Sequence, residues 1–271
     1  MAKKSSKLLS FVLYPFKIVF VLLSYIFKGM IIGTEKVILL FKNNNYNIKK
    51  KLKPSPKDYV PFRIIEAING NFNKFESFIS NNPSTIGLIL GARGTGKSAI
   101  GLKILENLHV VSKKNFYAIG FKKEDMPEYV NVVENIMDIK PYSFVIIDEG
   151  GVLFSSRKSF SDANKILSEL LLIARHNDLS ILFISQNSAN LEINVIRQAD
   201  YLILKPSSLL QRDFERKKIK EIYDEVSDKF QKYKNIKGLT YIYSEHFKGF
   251  VSNPLPTFWN QNISKSFRKK I

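Results

Sequence analysis

The run Gly91-Ala92-Arg93-Gly94-Thr95-Gly96-Lys97-Ser98 carries the sharpest chemical signal in this 271-residue chain. Glycines at this spacing let backbone N–H groups wrap phosphates without side-chain clash. Lys97 is placed to reach the β- and γ-phosphates, and the Ser98 hydroxyl to ligate Mg²⁺. A helix opening at Lys97-Ser98-Ala99 points its positive N-terminus at the same negative charge. The full pattern, G-x-x-x-x-G-K-[ST], is a Walker A loop and predicts ATP and Mg²⁺ as ligands. The nucleotide-binding set is Gly91, Arg93, Gly94, Thr95, Gly96, Lys97, Ser98 and Ala99, with the Arg93 side chain expected to point outward. The bare pattern recurs by chance. Here the apolar strand TIGLIL (85–90) precedes it and an amphipathic helix (about 97–111) follows, which is the context that phosphate binding needs.

A second element, SFVIIDEG, is an apolar strand ending in Asp148 and Glu149. Asp148 is the expected second Mg²⁺ group, acting through water. Glu149 is the expected base that orients and deprotonates the attacking water. A third, SILFIS, runs into Gln186, whose amide at a strand tip is suited to hydrogen-bond the γ-phosphate or the lytic water. Nothing in this set supplies a mobile cation to the charge that develops on the γ-phosphate. Ring ATPases take that cation from a neighbouring subunit. Arg175, in LLIARHNDLS, is the first candidate for such a finger in trans, and Arg197, in INVIRQAD, is the alternative. Each also has a local acid to pair with, Asp178 and Asp200.

The elements that must position these groups alternate between short apolar runs and amphipathic stretches. The spacing predicts a helix over about 62–79, then strands at 85–90, 116–120, 143–148, 180–185 and 201–205. Helices are expected at 97–111, 161–176, 193–200 and within 208–234, with a hairpin over 240–251. Strands that are apolar throughout are buried on both faces, which implies a mainly parallel sheet flanked by helices. The fold class is therefore α/β, a P-loop NTPase with a mainly parallel sheet flanked by helices.

Taken together, GARGTGKS, FVIIDEG, Arg175 upstream of the next strand and Gln186 at its end resemble the FtsK/HerA superfamily of P-loop ATPases. The stretch ARHNDLSILFISQNSANLEINVIRQADYLIL looks most like the zonular occludens toxin (Zot)/filamentous-phage assembly branch, with the viral genome-packaging ATPases close behind. The resemblance covers about 85–205. It implies a ring-shaped homo-oligomeric motor that hydrolyses ATP to move, package or extrude DNA, with coat or conjugation-type proteins as further partners. The apolar segment of this chain comes first, as in the FtsK-type translocases.

That segment, LLSFVLYPFKIVFVLLSYIF (8–27), has about the length of a membrane-spanning helix. Lys17 near its middle costs about 2.5–3.5 kcal/mol on an insertion scale, and each Leu, Ile, Phe or Val returns roughly 0.3–0.6. Fourteen such residues tip the sum toward insertion. Lys7, Ser10, Tyr14, Lys17, Ser24 and Lys28 also form a polar stripe at helical spacing, which would let the helix lie in the interface instead. A further apolar run, 30–41, carries Glu35 and Lys36 and reads as interfacial. Residues 42–57, KNNNYNIKKKLKPSPK, read as a basic linker beside anionic headgroups. The expected organisation is thus 1–41 membrane-associated, 42–57 linker and 58–271 ATPase domain. Within that domain, a core covers about 85–205, C-terminal helices and hairpin 206–252, and a basic tail 253–271. The lysine excess after the apolar segment puts the ATPase domain in the cytoplasm.

Composition agrees with two parts. The net charge is +18, of which residues 1–57 hold +11 from twelve Lys and one Glu. Such a balance draws polyanions, nucleic acid or lipid. With 45% apolar residues the chain can bury a core, and with no cysteine it has no disulfide framework or cysteine zinc site. Two other functions fit less of the pattern. A membrane scaffold or gate that uses ATP as a slow switch would show no DNA-stimulated turnover. A small-molecule phosphotransferase would need an acceptor motif, and none is visible.

Overall fold

The computed structural model describes residues 58–149, 168–169, 171–191, 193–260 and 263. The segments 8–27 and 30–41, the basic linker, most of the 161–176 helix and the lysines of the tail lie outside them. The described residues fall in the second of two compact units, 54–271. Among them, no helix is long and apolar enough to cross a membrane.

In chain order the elements are β1 (Arg63–Gly70), α1 (Phe72–Asn81), β2 (Ile86–Leu90), α2 (Lys97–Val111), β3 (Asn115–Ile119), β4 (Val130–Val132), β5 (Ser143–Asp148), β6 (Leu179–Ile184), α3 (Ile193–Gln198), β7 (Tyr201–Leu204), α4 (Leu209–Asp213), α5 (Lys217–Lys232), β8 (Leu239–Ser244) and β9 (Phe247–Ser252). A helical stretch over 171–174 precedes β6. One sheet takes all nine strands in the order β1-β9-β8-β7-β2-β6-β5-β3-β4. From β7 to β4 every pairing is parallel. The β8–β9 hairpin and β1 extend the other edge with antiparallel pairings.

The apolar runs are buried on both faces. In β5, Phe144 and Ile146 belong to one core, and Val145 and Ile147 to the other. The first core is closed by α1 through Phe72, Phe75 and Ile79, and by α2 through Ile100, Ile104 and Leu108. The second is closed by α5 through Ile219, Ile222, Tyr223 and Val226, with Leu171, Ala174 and Val195 beside them. Each face is thus covered by helices, as an all-apolar strand requires. Close approach of α2 needs Gly101, where an added Cβ would lie 2.8 Å from Ile146 Cδ1.

The helix expected over 62–79 is corrected. Residues 63–70 form β1, paired with β9, and only 72–81 are helical. Ile64, Ile65, Ala67 and Ile68 recur at steps that a helix would also use. Pairing with β9 prevails, and the ladder absorbs the mismatch through irregular steps between Ile64 and Glu66 and between Ala67 and Asn69. Gly70 then turns the chain with φ of +75°, and Asn71 caps α1 by accepting from the Asn73 N–H at 2.8 Å. The hairpin expected at 240–251 is present, and it adds two strands to the main sheet.

Candidate functional site

Parallel strands deliver their carboxyl ends to one edge of the sheet. Register fixes which residues meet there: Asp148 lies beside Ile184, and Ile184 beside Ile89. One step further along the three strands come Glu149, Ser185 and Leu90, and the glycine loop leaves β2 at that level. This is the crevice where ligands of open α/β sheets bind.

The loop has the backbone its glycines predict. Gly94 and Gly96 hold φ of +79° and +90°, a region costly for residues with a Cβ. Thr95 Oγ1 donates to the Ala92 carbonyl at 2.7 Å, and the Ile100 N–H donates to the Gly96 carbonyl at 3.1 Å as α2 begins. Lys97 Nζ donates to the carbonyls of Gly91 at 2.7 Å and Ala92 at 2.9 Å, so the ammonium is folded over the loop's mouth. Ala99 is buried, and Arg93 is exposed as expected.

Across from the loop, Ser98 Oγ donates to Asp148 Oδ2 at 2.8 Å. Those are the two groups assigned to Mg²⁺ from the sequence. An alcohol and a carboxylate in contact offer the oxygen donors that Mg²⁺ prefers, since it binds by one or two protein groups and completes its shell with phosphate and water. Asp148 and Glu149 are both buried, at 8% and 5% exposure. Glu149 accepts from Ser185 Oγ at 2.5 Å and from the Gln186 N–H. Burial pushes the Glu149 carboxyl above the usual carboxylate range, against the pull of those two hydrogen bonds. Burial also lowers the Lys97 ammonium, while Asp148 and then Glu149 act to raise it.

Gln186 reaches the site by its backbone. Its side chain is exposed, its N–H serves Glu149, and its carbonyl accepts from Gln211 Nε2. Arg175 and Arg197 are not brought to this edge. Arg175 is exposed in the turn 175–178 that leads into Leu179, at the amino end of β6. Arg197 is exposed four residues before β7 begins. Six residues of strand separate the two edges by about 20 Å. Asp200 is engaged elsewhere, accepting from the Ile86 N–H at 2.7 Å.

Three features escaped the sequence. Ser185 is the last residue of SILFIS and reads as a strand end; only pairing with β5 sets it against Glu149. The loop 185–191 is held from behind by Glu215, which accepts from the Ser188 N–H at 2.7 Å and from its hydroxyl, and by Arg216, whose Nε donates to the Ser188 carbonyl at 3.0 Å. Lys205 lies under the glycine loop, tied to oxygens more than thirty residues away in sequence.

No protein-family model matches the sequence, and no curated protein matches it. Among solved structures, the chain is similar to the genome packaging NTPase of Sulfolobus turreted icosahedral virus 2 in complex with AMPPCP, at 19% identity, over 65% of this chain and 100% of that one, with a TM-score of 0.42. It is also similar to the pCW3 conjugation coupling protein TcpA with ATPγS, at 14% identity, over 68% of this chain and 64% of that one, with a TM-score of 0.42. A third is EssC (ATPases 2 and 3) from Geobacillus thermodenitrificans, at 10% identity, over 68% and 43%, with a TM-score of 0.40.

Proposed function

We propose that the protein is a membrane-tethered P-loop ATPase that hydrolyses ATP to translocate, package or extrude DNA. The observation that carries the hydrolase is the pairing of Ser98 with Asp148 at 2.8 Å beside a buried Glu149 held by Ser185. The DNA task is supported by the resemblance of residues 85–205 to the FtsK/HerA motors, and the tether by the apolar, basic leader.

The residues divide the chemistry. The N–H groups of the loop bind the phosphate oxygens. Lys97, now on the carbonyls of Gly91 and Ala92, turns to the β- and γ-phosphates when these arrive. Ser98 and Asp148 would hold Mg²⁺, which supplies charge neutralisation to the phosphate oxygens. Glu149 orients a water and takes its proton on a carboxylate oxygen, while Ser185 and the Gln186 N–H hold that carboxylate in place. Gln186 contributes its amide only after the 185–191 loop turns it inward. Arg175, or alternatively Arg197, serves the neighbouring subunit of a homo-oligomeric ring, because both sit at the far edge of their own sheet.

The test is ATPase activity of the full-length chain in detergent, with single- and double-stranded DNA added. Turnover that DNA stimulates, that Glu149→Gln abolishes with ATP binding intact, and that Lys97→Ala loses through affinity supports the motor. Slow turnover indifferent to DNA would leave an ATP-dependent membrane scaffold as the better description.

A further inference from the structure

Lys205 follows the last residue of β7 and is 1% exposed. Its backbone N–H donates to the Leu90 carbonyl at 2.8 Å, and the Pro206 carbonyl accepts from the Ala92 N–H at 3.0 Å. The side chain then runs beneath the glycine loop. A Cβ added to Gly91 would lie 2.6 Å from Lys205 Cβ, and one added to Gly96 would lie 3.9 Å from Lys205 Nζ. The ammonium therefore sits buried behind the loop.

Its partners are all neutral. Nζ donates to the carbonyls of Gly238 and Leu239, each at 3.2 Å, and to Asn253 Oδ1 at 3.0 Å. Thr240 completes that cluster through Asn253 Oδ1, and Tyr223 of α5 donates to the Lys205 carbonyl at 3.1 Å. Among the described residues no carboxylate pairs with this amine. A buried cation without an anion is expensive. Tying β7 to the β8–β9 hairpin would need only a neutral donor. What the position lacks is a negative charge, and the glycine loop in front of it is shaped to receive one.

We propose that Lys205 is a second cation of the phosphate site, acting through the back of the glycine loop and taking up a proton when nucleotide phosphates bind. This rests on the nucleotide reading above and adds a residue and a pH dependence to it. Burial brings the free amine down to about 7, so at neutral pH a part of the population is uncharged. Phosphate charge then draws a proton onto it. Affinity is highest below pH 7 and falls as pH rises through the amine's bound-state value. Opposite unit charges about 8 Å apart at an effective dielectric near 20 change affinity by roughly thirtyfold, which sets the scale.

The experiment is calorimetric titration of the full-length chain in detergent with ADP, in buffers of different ionisation enthalpy, from pH 6.5 to 9. Wild type should take up on the order of half a proton near pH 7.5. Lys205→Met should lose that uptake, bind ADP about tenfold more weakly at pH 6.5 and nearly as well at pH 9. Lys205→Gln, which keeps a donor for the hairpin oxygens, should behave like the Met variant, whereas a merely structural lysine would be rescued by it. Wild type that binds ADP without proton uptake between pH 7 and 8 would overturn the proposal whatever the variants do. So would variants whose uptake and pH profile match wild type. Wild type that binds no ADP at any pH would instead bring down the nucleotide reading together with this one.

Discussion

Ser185 Oγ donates a 2.5 Å hydrogen bond to the Glu149 carboxylate, linking the carboxyl ends of the neighbouring strands β6 and β5. The bond holds the proposed base at the level of the glycine loop and favours its ionised form. Glu149→Gln should bind ATP with near wild-type affinity and lose about 10²–10⁴ in turnover. Ser185→Ala should lose roughly tenfold, again with binding intact, because the carboxylate keeps the Gln186 N–H. Steady-state hydrolysis beside equilibrium ATP binding separates the two effects. Wild-type turnover in Glu149→Gln would remove the residue from the mechanism.

The raised Glu149 carboxyl makes a pH prediction whose sign is fixed. As a base it must be ionised, so turnover should fall as pH drops through a value above the ordinary carboxylate range. Ser185→Ala, which removes a bond to the ionised form, should move that acid limb further up. Stability runs the other way. A carboxyl raised by folding stabilises the fold relative to its ionised form at low pH, and that contribution is lost as pH rises through the folded value. Glu149→Gln should therefore melt higher than wild type near pH 8, by about 2–4 °C for each 1 kcal/mol relieved, with no gap below the ordinary carboxylate range. An equal gap at both ends of the range would contradict it.

Arg175 and Arg197 stand at the amino edge of the strands whose carboxyl edge holds the site. A finger from either must come from next door, and an arginine in trans is worth about 10³–10⁵ in rate in well-studied NTPases. Mixing Arg175→Ala with Glu149→Gln, each nearly inactive alone, should restore part of the activity, because some interfaces then pair an intact Glu149 with an intact Arg175. Recovery with Arg197→Ala and none with Arg175→Ala would move the finger and keep the shared site. A fully active monomer at nanomolar concentration would exclude a shared site.

Deleting residues 1–41 should leave a folded ATPase domain that no longer inserts into liposomes and that salt releases from anionic ones, since β1 begins only at Arg63. For the full chain, raising salt to about 1 M should weaken the attraction of the lysine linker for anionic vesicles but not apolar insertion. Full-length protein that ignores vesicles of every composition would refute the tether.

Lys103 and Glu106 form an ion pair of 2.6 Å inside α2, at 2% and 1% side-chain exposure. Glu106 also accepts from the Thr257 N–H at 2.8 Å, fastening residues after β9 to the phosphate helix. Removing one partner strands the other charge, so Glu106→Leu should cost about 3–5 kcal/mol in urea unfolding. Adding Lys103→Met to it should recover most of the loss. A single variant as stable as wild type would show that the pair is solvated.

The parallel part of the sheet and the residues gathered at its edge were legible because their signals are local. Buried strands read as unbroken apolar runs, and the glycine loop and Asp148-Glu149 stand next to the strands that aim them. β1 was not legible, since its isoleucines suit either period and its partner lies nearly two hundred residues away. Ser185, Lys205 and the Glu215–Ser188 contact were hidden for the same reason: each acquires its meaning from a group on another strand or helix. Gln186 was found as a residue but not in its present use, because a backbone N–H leaves no trace in a sequence.

The pairing of β1 with β9 joins Arg63 to Ser252, so among the described residues the first strand is completed by the last. Until residues 239–252 are synthesised, β1 has no ladder, and β7 presents an open edge beside the glycine loop. Folding must therefore close over nearly the whole length of the domain, a topology that slows assembly and prolongs exposure of unpaired edges. A leader held at a membrane during that interval would keep nascent copies apart. Truncation before residue 239, by contrast, should yield insoluble protein even though every phosphate-site residue is present.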